Sequence, residues 1–157
     1  MKDKIAAFMH VEIVHHDPYA AAEFLREVFG AEQVEKEYSA RIEERFGNPL
    51  IHMRMGNVIF QIVKPLEMFE TWHEQLKTSG PGIHNISLAM HDIESVREAM
   101  LAKGCKVTKT IPIERKIGNA EIDGPISVHI IDAFKQAGLR FELVPMEGGY
   151  KPPPIEG

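Results

Sequence analysis

Eight histidines occur in 157 residues. Histidine is the commonest metal ligand and the usual acid or base near neutral pH, so their placement decides where chemistry is to be sought. Two of them hold matching positions: His10 in Phe8-Met9-His10-Val11-Glu12-Ile13-Val14, and His84 in Ile83-His84-Asn85-Ile86-Ser87-Leu88-Ala89-Met90, both strand-like runs. Two oxygen-bearing residues interrupt apolar runs in a similarly matched way, Gln61 between Phe60 and Ile62 and Glu142 between Phe141 and Leu143. Alternate strand residues point to opposite faces, so Gln61 and Glu142 turn away from the side that packs on helices. Two imidazoles with an amide and a carboxylate oxygen suit one divalent first-row metal ion, with water at the remaining positions. A lone strand histidine is usually structural; it is the repetition of four such residues that points to a metal.

The elements that must carry these residues also repeat. After the His10 strand, Asp17-Pro18 supplies a helix N-cap and a proline at the first helical position; Phe24, Leu25, Val28 and Phe29 follow, and Gly30 is a natural stop. After the His84 strand, Asp92 caps a helix bearing Ile93, Val96 and Met100, which Gly104 ends. The pairs His10 and His84, Asp17 and Asp92, and Gly30 and Gly104 recur at a nearly constant offset. Each helix is followed by strand-like segments: 32–38, 50–55 and 58–63 in the first half, and 106–111, 126–131 and 139–144 in the second. Gly56-Asn57 suits a tight hairpin turn. Met68, Phe69, Trp72 and Leu76 are spaced for an amphipathic helix between the halves, and Ser79-Gly80-Pro81-Gly82 turns into the second half. The irregular stretches 39–49 and 112–125 are the longest loops, and Pro152-Pro153-Pro154 predicts an extended tail. The pattern is βαβββ twice: a module over 8–64, a linker helix and turn over 65–82, a second module over 83–145, and a tail over 146–157.

The remaining histidines divide. His15, His16 and His91 fall at strand ends or helix starts and His73 on the linker helix, all positions suited to solvent. His52 and His129 lie within strands, and alternation alone leaves open whether they share the face of the four candidate ligands. Arg54, two residues after His52 and so on the same face, is a candidate for an anionic substrate group, and His129 is a second substrate-binding candidate. Cys105 follows a helix-ending glycine and reads as a small core residue.

Composition limits what else the protein could be. The chain is 44% hydrophobic and 26% charged, which suits a globular fold and argues against a disordered or disulfide-stapled one. A formal charge of -5 argues against nucleic acid or an anionic membrane surface as partner. A single cysteine allows no internal disulfide, the first ten residues hold too short an apolar stretch for a signal peptide, and no run approaches a membrane span. The expected location is cytoplasmic. No G-x-S-x-G elbow, Walker loop or G-x-G-x-x-G fingerprint is present.

With these residues in view, the chain resembles the vicinal oxygen chelate superfamily of glyoxalases, bleomycin-resistance proteins and dioxygenases. The similarity runs from about Phe8 to Pro145 and looks nearest to methylmalonyl-CoA epimerase. It is carried by His10-Val11, by Gln61-Ile62-Val63-Lys64-Pro65-Leu66, by Gly82-Ile83-His84 and by Phe141-Glu142-Leu143-Val144. The resemblance implies a single α+β, glyoxalase-like domain in which two βαβββ modules form a cup around one divalent ion per chain (Co, Mn, Ni, Zn or Fe). It implies His10, Gln61, His84 and Glu142 as ligands in that order, a small-molecule substrate of the acyl-CoA kind, and a homodimer. One position departs. The epimerases use a further glutamate as base on the strand preceding the glutamine strand, and the best-matching residue here is His52.

A dipositive ion with one carboxylate ligand keeps net positive charge, which polarises a carbonyl and stabilises the anion formed when the adjacent proton leaves. The leading reading is therefore an epimerase or isomerase that removes a proton next to a ketone or thioester, with His52 as a base of ordinary pKa and Glu142 sharing the role. A second reading takes His10, His84 and Glu142 as a two-histidine, one-carboxylate triad for Fe(II) and oxygen. A third is a cup that merely sequesters a small molecule. Nothing in the sequence selects the substrate.

Overall fold

The computed structural model describes residues 4–112 and 127–146. In chain order these form β1 (Ile5–Val14), α1 (Pro18–Phe29), β2 (Glu32–Val34), α2 (Lys36–Phe46), β3 (Leu50–Met55), β4 (Val58–Val63), α3 (Glu70–Ser79), β5 (Gly82–Met90), α4 (Ile93–Ala102), β6 (Lys106–Pro112), β7 (Ser127–Ala133), α5 (Phe134–Ala137) and β8 (Leu139–Pro145). They divide into two units, His10–His84 and the described residues of Met1–Met9 with Asn85–Glu156. Apart from Pro112 and Met146, the loop expected over 112–125 and the tail over 146–157 lie outside the described residues.

In the first unit the strand order is β2-β3-β4-β1, with β1 parallel to β4 and the other pairs antiparallel. Asp17 accepts the Ala20 N–H and Pro18 opens α1, and Gly30, at φ 69°, closes it in the left-handed conformation a glycine adopts without strain. The helix covers one face of the strands: Ala21, Ala22 and Leu25 pack on Ile51, Met53, Ile62, Ile13 and Phe60. Phe24, Val28 and Phe29 stay exposed on the outer side of α1. Met55 pairs with Val58 across Gly56, whose φ of 62° supplies the positive value that a two-residue hairpin turn requires.

One stretch differs from expectation. Residues 32–38 were expected as a strand and 39–49 as a loop, but β2 stops at Val34 and α2 runs from Lys36 to Phe46. Glu35, left-handed at φ 52°, turns the chain between them. Lys, Glu, Ala and Arg dominate the segment, and its inward residues Tyr38, Ser39 and Ile42 recur at helical spacing. The first module is therefore β-α-β-α-β-β.

The second unit has the equivalent order β5-β8-β7-β6, again with its first and last strands parallel. Asp92 caps α4 by accepting the Ser95 N–H, and Ile93, Val96 and Met100 pack on Cys105, Ile131, Phe141 and Leu143. A smaller cluster joins Met9, Ala89 and Val144. Among the described residues no helix is long and apolar enough to cross a membrane.

Candidate functional site

In the first unit the face opposite α1 is polar and almost fully buried. Register aligns it: Glu12 of β1 pairs with Gln61 of β4, which pairs with His52 of β3. The three side chains stand in one row, and His10 lies two residues before Glu12 on the same face of β1. Their exposures are 2% for His10, 4% for Glu12, 0% for His52 and 8% for Gln61. The hairpin register left open by the sequence thus puts His52 and Gln61 on one face. Buried polar groups in such number require mutual hydrogen bonds or a ligand.

His52 and Gln61 meet directly, Gln61 Nε2 lying 2.8 Å from His52 Nε2. An amide nitrogen only donates, so with the Gln61 amide placed this way His52 Nε2 accepts and the imidazole proton sits on Nδ1. That buried Nδ1 has no hydrogen-bond partner among the described residues. The same bond leaves the Gln61 carbonyl oxygen, the atom through which an amide binds a metal, as the group still to be used. Tyr38 of α2 stacks on His52, at 5.9 Å and 27°, and the His10 ring is 5.8 Å away. Burial pushes His52 down to about 4, so it is neutral at physiological pH. The expectation that His52 is a base of ordinary pKa is therefore corrected: loss of hydration disfavours its cation. Burial, and secondarily the neighbouring His52, hold His10 well below its ordinary value too. Neutral imidazoles are the form that metals bind.

The linker helix α3 builds the next part. Trp72 and Leu76 are its buried residues. The Trp72 ring stacks on His84 at 4.2 Å and 14°, and its indole N–H donates to Glu12 Oε1. Thr71 Oγ1 lies 2.9 Å from His84 Nε2, and His84 Nδ1 lies 3.7 Å from Glu12 Oε1. Arg54, on the same strand face as His52, is exposed near the hairpin end.

In the second unit, Glu142 of β8 pairs with Ser87 of β5 and Ile130 of β7. Ser87 Oγ donates to Glu142 Oε1 at 2.7 Å. Burial raises the Glu142 pKa, and the Ser87 hydrogen bond partly opposes the shift. His129 pairs with Leu143 and so points to the face opposite Glu142. That is the side on which α4 packs, and there Nε2 meets Glu94 Oε1 at 3.1 Å and Nδ1 meets Thr110 Oγ1 at 3.1 Å. Alternation therefore separates the substrate-binding candidate His129 from Glu142.

The candidate ligands are divided between the units, with His10, Gln61 and His84 in one and Glu142 in the other. Glu12, Thr71, Trp72, Tyr38 and Ser87 were not anticipated. Two carried a readable signal, since Glu12 follows His10 by the strand period between Val11 and Ile13, and Ser87 is likewise flanked by Ile86 and Leu88.

A sequence model of the Glyoxalase/Bleomycin resistance protein/Dioxygenase superfamily matches residues 9–120. The chain belongs to this superfamily. Solved glyoxalase-like structures agree in fold. A methylmalonyl-CoA epimerase from Mycobacterium tuberculosis matches with a TM-score of 0.65 at 19% identity, over 92% of this chain and 91% of that one. A variant of the Streptomyces coelicolor methylmalonyl-CoA epimerase, in complex with 2-nitronate-propionyl-CoA, matches with a TM-score of 0.61 at 20% identity, over 90% and 97%. A hypothetical protein from Bacillus halodurans matches with a TM-score of 0.61 at 13% identity, over 88% and 93%. At such identities the likeness establishes the α+β glyoxalase-like fold. No curated protein sequence matches the chain.

Proposed function

We propose that this superfamily member is a divalent-metal-dependent epimerase or isomerase that moves a proton next to a carbonyl or thioester, with a small acyl-CoA as the substrate class. The observation that carries the reading is the Gln61–His52 hydrogen bond in a buried polar row beside His10. It leaves the Gln61 amide oxygen unspent in the same row as the His10 imidazole, which burial holds neutral, and an amide oxygen with a neutral imidazole fits a first-row divalent ion. His10, Gln61, His84 and Glu142 are the residues proposed to hold it, as the family resemblance implies. When bound, the ion supplies positive charge that offsets the negative charge developing on a substrate carbonyl oxygen.

The protein's own groups do the rest. His52 orients Gln61 and offers its Nδ1–H to substrate, a neutral donor in a dry site. Of the two catalytic candidates Glu142 is the proton acceptor, because His52 Nε2 is already engaged by the Gln61 N–H and burial lowers the pKa of its imidazole. Ser87 holds the Glu142 carboxylate in orientation by its 2.7 Å hydrogen bond.

The test is metal analysis followed by solvent exchange. Protein purified without chelator is expected to carry close to one divalent ion per chain, lost in His10→Ala and His84→Ala. The loaded protein is expected to exchange deuterium from solvent into methylmalonyl-CoA at the carbon beside the thioester, without oxygen uptake. Stoichiometric metal in both alanine variants would end the ligand assignment. Oxygen uptake dependent on Fe(II), with no exchange, would replace the reaction by a dioxygenase.

A further inference from the structure

We infer that Glu12 is a carboxylate ligand of the same ion, paired with His84 through Nδ1, and that α3 supplies the outer hydrogen bonds that orient both groups. This rests on the metal reading above and adds a residue to it.

The argument begins with the spacing of donor atoms. His84 Nδ1 and Glu12 Oε1 are 3.7 Å apart, too far for a hydrogen bond, whose N···O distance is about 2.7–3.2 Å. Two donors bound to one ion at about 2.0–2.2 Å each stand roughly 3–3.5 Å from one another. The observed gap is close to that separation and exceeds a hydrogen bond's. The second nitrogen of His84 agrees. Nε2 lies 2.9 Å from Thr71 Oγ1; with the ring proton on Nε2 as donor, the lone pair falls on Nδ1, on the Glu12 side. Metal-bound histidines ordinarily donate their other N–H to an oxygen in this way.

Glu12 has the matching arrangement. The Trp72 indole N–H donates to its Oε1, while the indole ring stacks on His84 at 4.2 Å, so one residue of α3 fixes both. The carboxylate is 4% exposed, and a dipositive ion beside it provides the opposite charge that stabilises a buried anion. Glu12 also stands level with Gln61 in the β1–β4 register and two residues from His10 on the same face, so all four donors of this unit belong to one patch. An added carboxylate shifts the donor set toward harder oxygen ligands and lowers the net charge the ion presents.

Glu12→Gln is the decisive variant, because its amide oxygen still accepts from Trp72 while the anionic ligand is lost. Trp72→Phe is the counterpart that deletes the N–H and keeps the carboxylate. Co(II) is titrated into metal-stripped wild-type protein and both variants against a competing chelator, and the visible spectrum of the bound ion is recorded. Glu12→Gln is expected to weaken Co(II) at least a hundredfold and to change its spectrum, with Trp72→Phe, which loses only the orienting N–H, weakened about tenfold. Wild-type affinity and an unchanged spectrum in Glu12→Gln would overturn the inference, as would an equal loss in both variants, which would make Glu12 a structural residue. If Glu12→Gln does not fold, Glu12→Asp decides: its shorter stem draws the carboxylate back, so weaker Co(II) supports ligation and wild-type binding opposes it. Unaltered Co(II) binding in the His10→Ala, His84→Ala double variant would instead remove the underlying metal reading, a separate result.

Discussion

Acidifying the metal-stripped protein isolates what the burial of His52 costs. The side chain is fully buried, and its pKa falls from 6.5 to about 4 on folding. Between those values the unfolded chain binds more protons than the folded one, so stability rises with pH across the window and is lost as pH falls through it. The shift corresponds to about 3 kcal/mol, of which about 2 kcal/mol disappear between pH 7 and pH 4.5. His10 acts in the same direction because its pKa is also lowered. Glu142, with a raised pKa, acts oppositely and contributes stability that fades as pH rises through its folded value. The assay is therefore a difference: urea unfolding of wild type and His52→Gln, both in chelator, at half-unit steps from pH 7 to 4.5. Glutamine keeps an acceptor for the Gln61 N–H and does not titrate. The wild-type curve should fall more steeply than the variant's by about 2 kcal/mol over this range. Parallel curves would mean that His52 takes up its proton in the folded state with little penalty, and the neutral-imidazole account of the site would fail with it.

Three further outcomes follow from the same geometry. His52→Phe removes the acceptor that orients Gln61, and Co(II) affinity measured by chelator competition should drop about tenfold to hundredfold with the fold retained. Ser87→Ala deletes a hydrogen bond that favours the ionised Glu142 carboxylate, so the acidic limb of the pH profile for solvent exchange should move to higher pH; an unmoved limb would take Glu142 out of the base role. Light scattering at micromolar concentration should give about twice the monomer mass, as the family resemblance implies and as the exposed Phe24, Val28 and Phe29 on α1 would favour; a clean monomer would remove that expectation.

Strand alternation and helix punctuation were local enough to read from residues alone. Asp17-Pro18 with Gly30, and Asp92 with Gly104, mark helix ends because a cap needs only its own neighbours. The placing of Gln61 and Glu142 between large apolar residues announced their faces for a similar reason, since the strand period is a property of the backbone. Helix α2 escaped because β2 is short and the change from strand to helix occurs at a single left-handed residue, Glu35.

What tertiary structure alone decided is which side chains meet. A one-residue slip of the β3–β4 hairpin would turn His52 to the other face, and only the Met55–Val58 pairing about Gly56 excludes it. The same register question separated His129 from Glu142 in the second unit. Glu12 carried a sequence signal, but its contacts with Trp72 and His84 bring β1 to α3 and β5, two consecutive elements far along the chain from it. The His52 pKa is likewise absent from any local pattern, because desolvation sums over every group packed around the ring. Residue types and spacing marked the repeat, the helix ends and the strand faces, which depend on short-range backbone geometry. The pairing of donors and the protonation of each required the packed structure, because distance and hydration are properties of the whole fold.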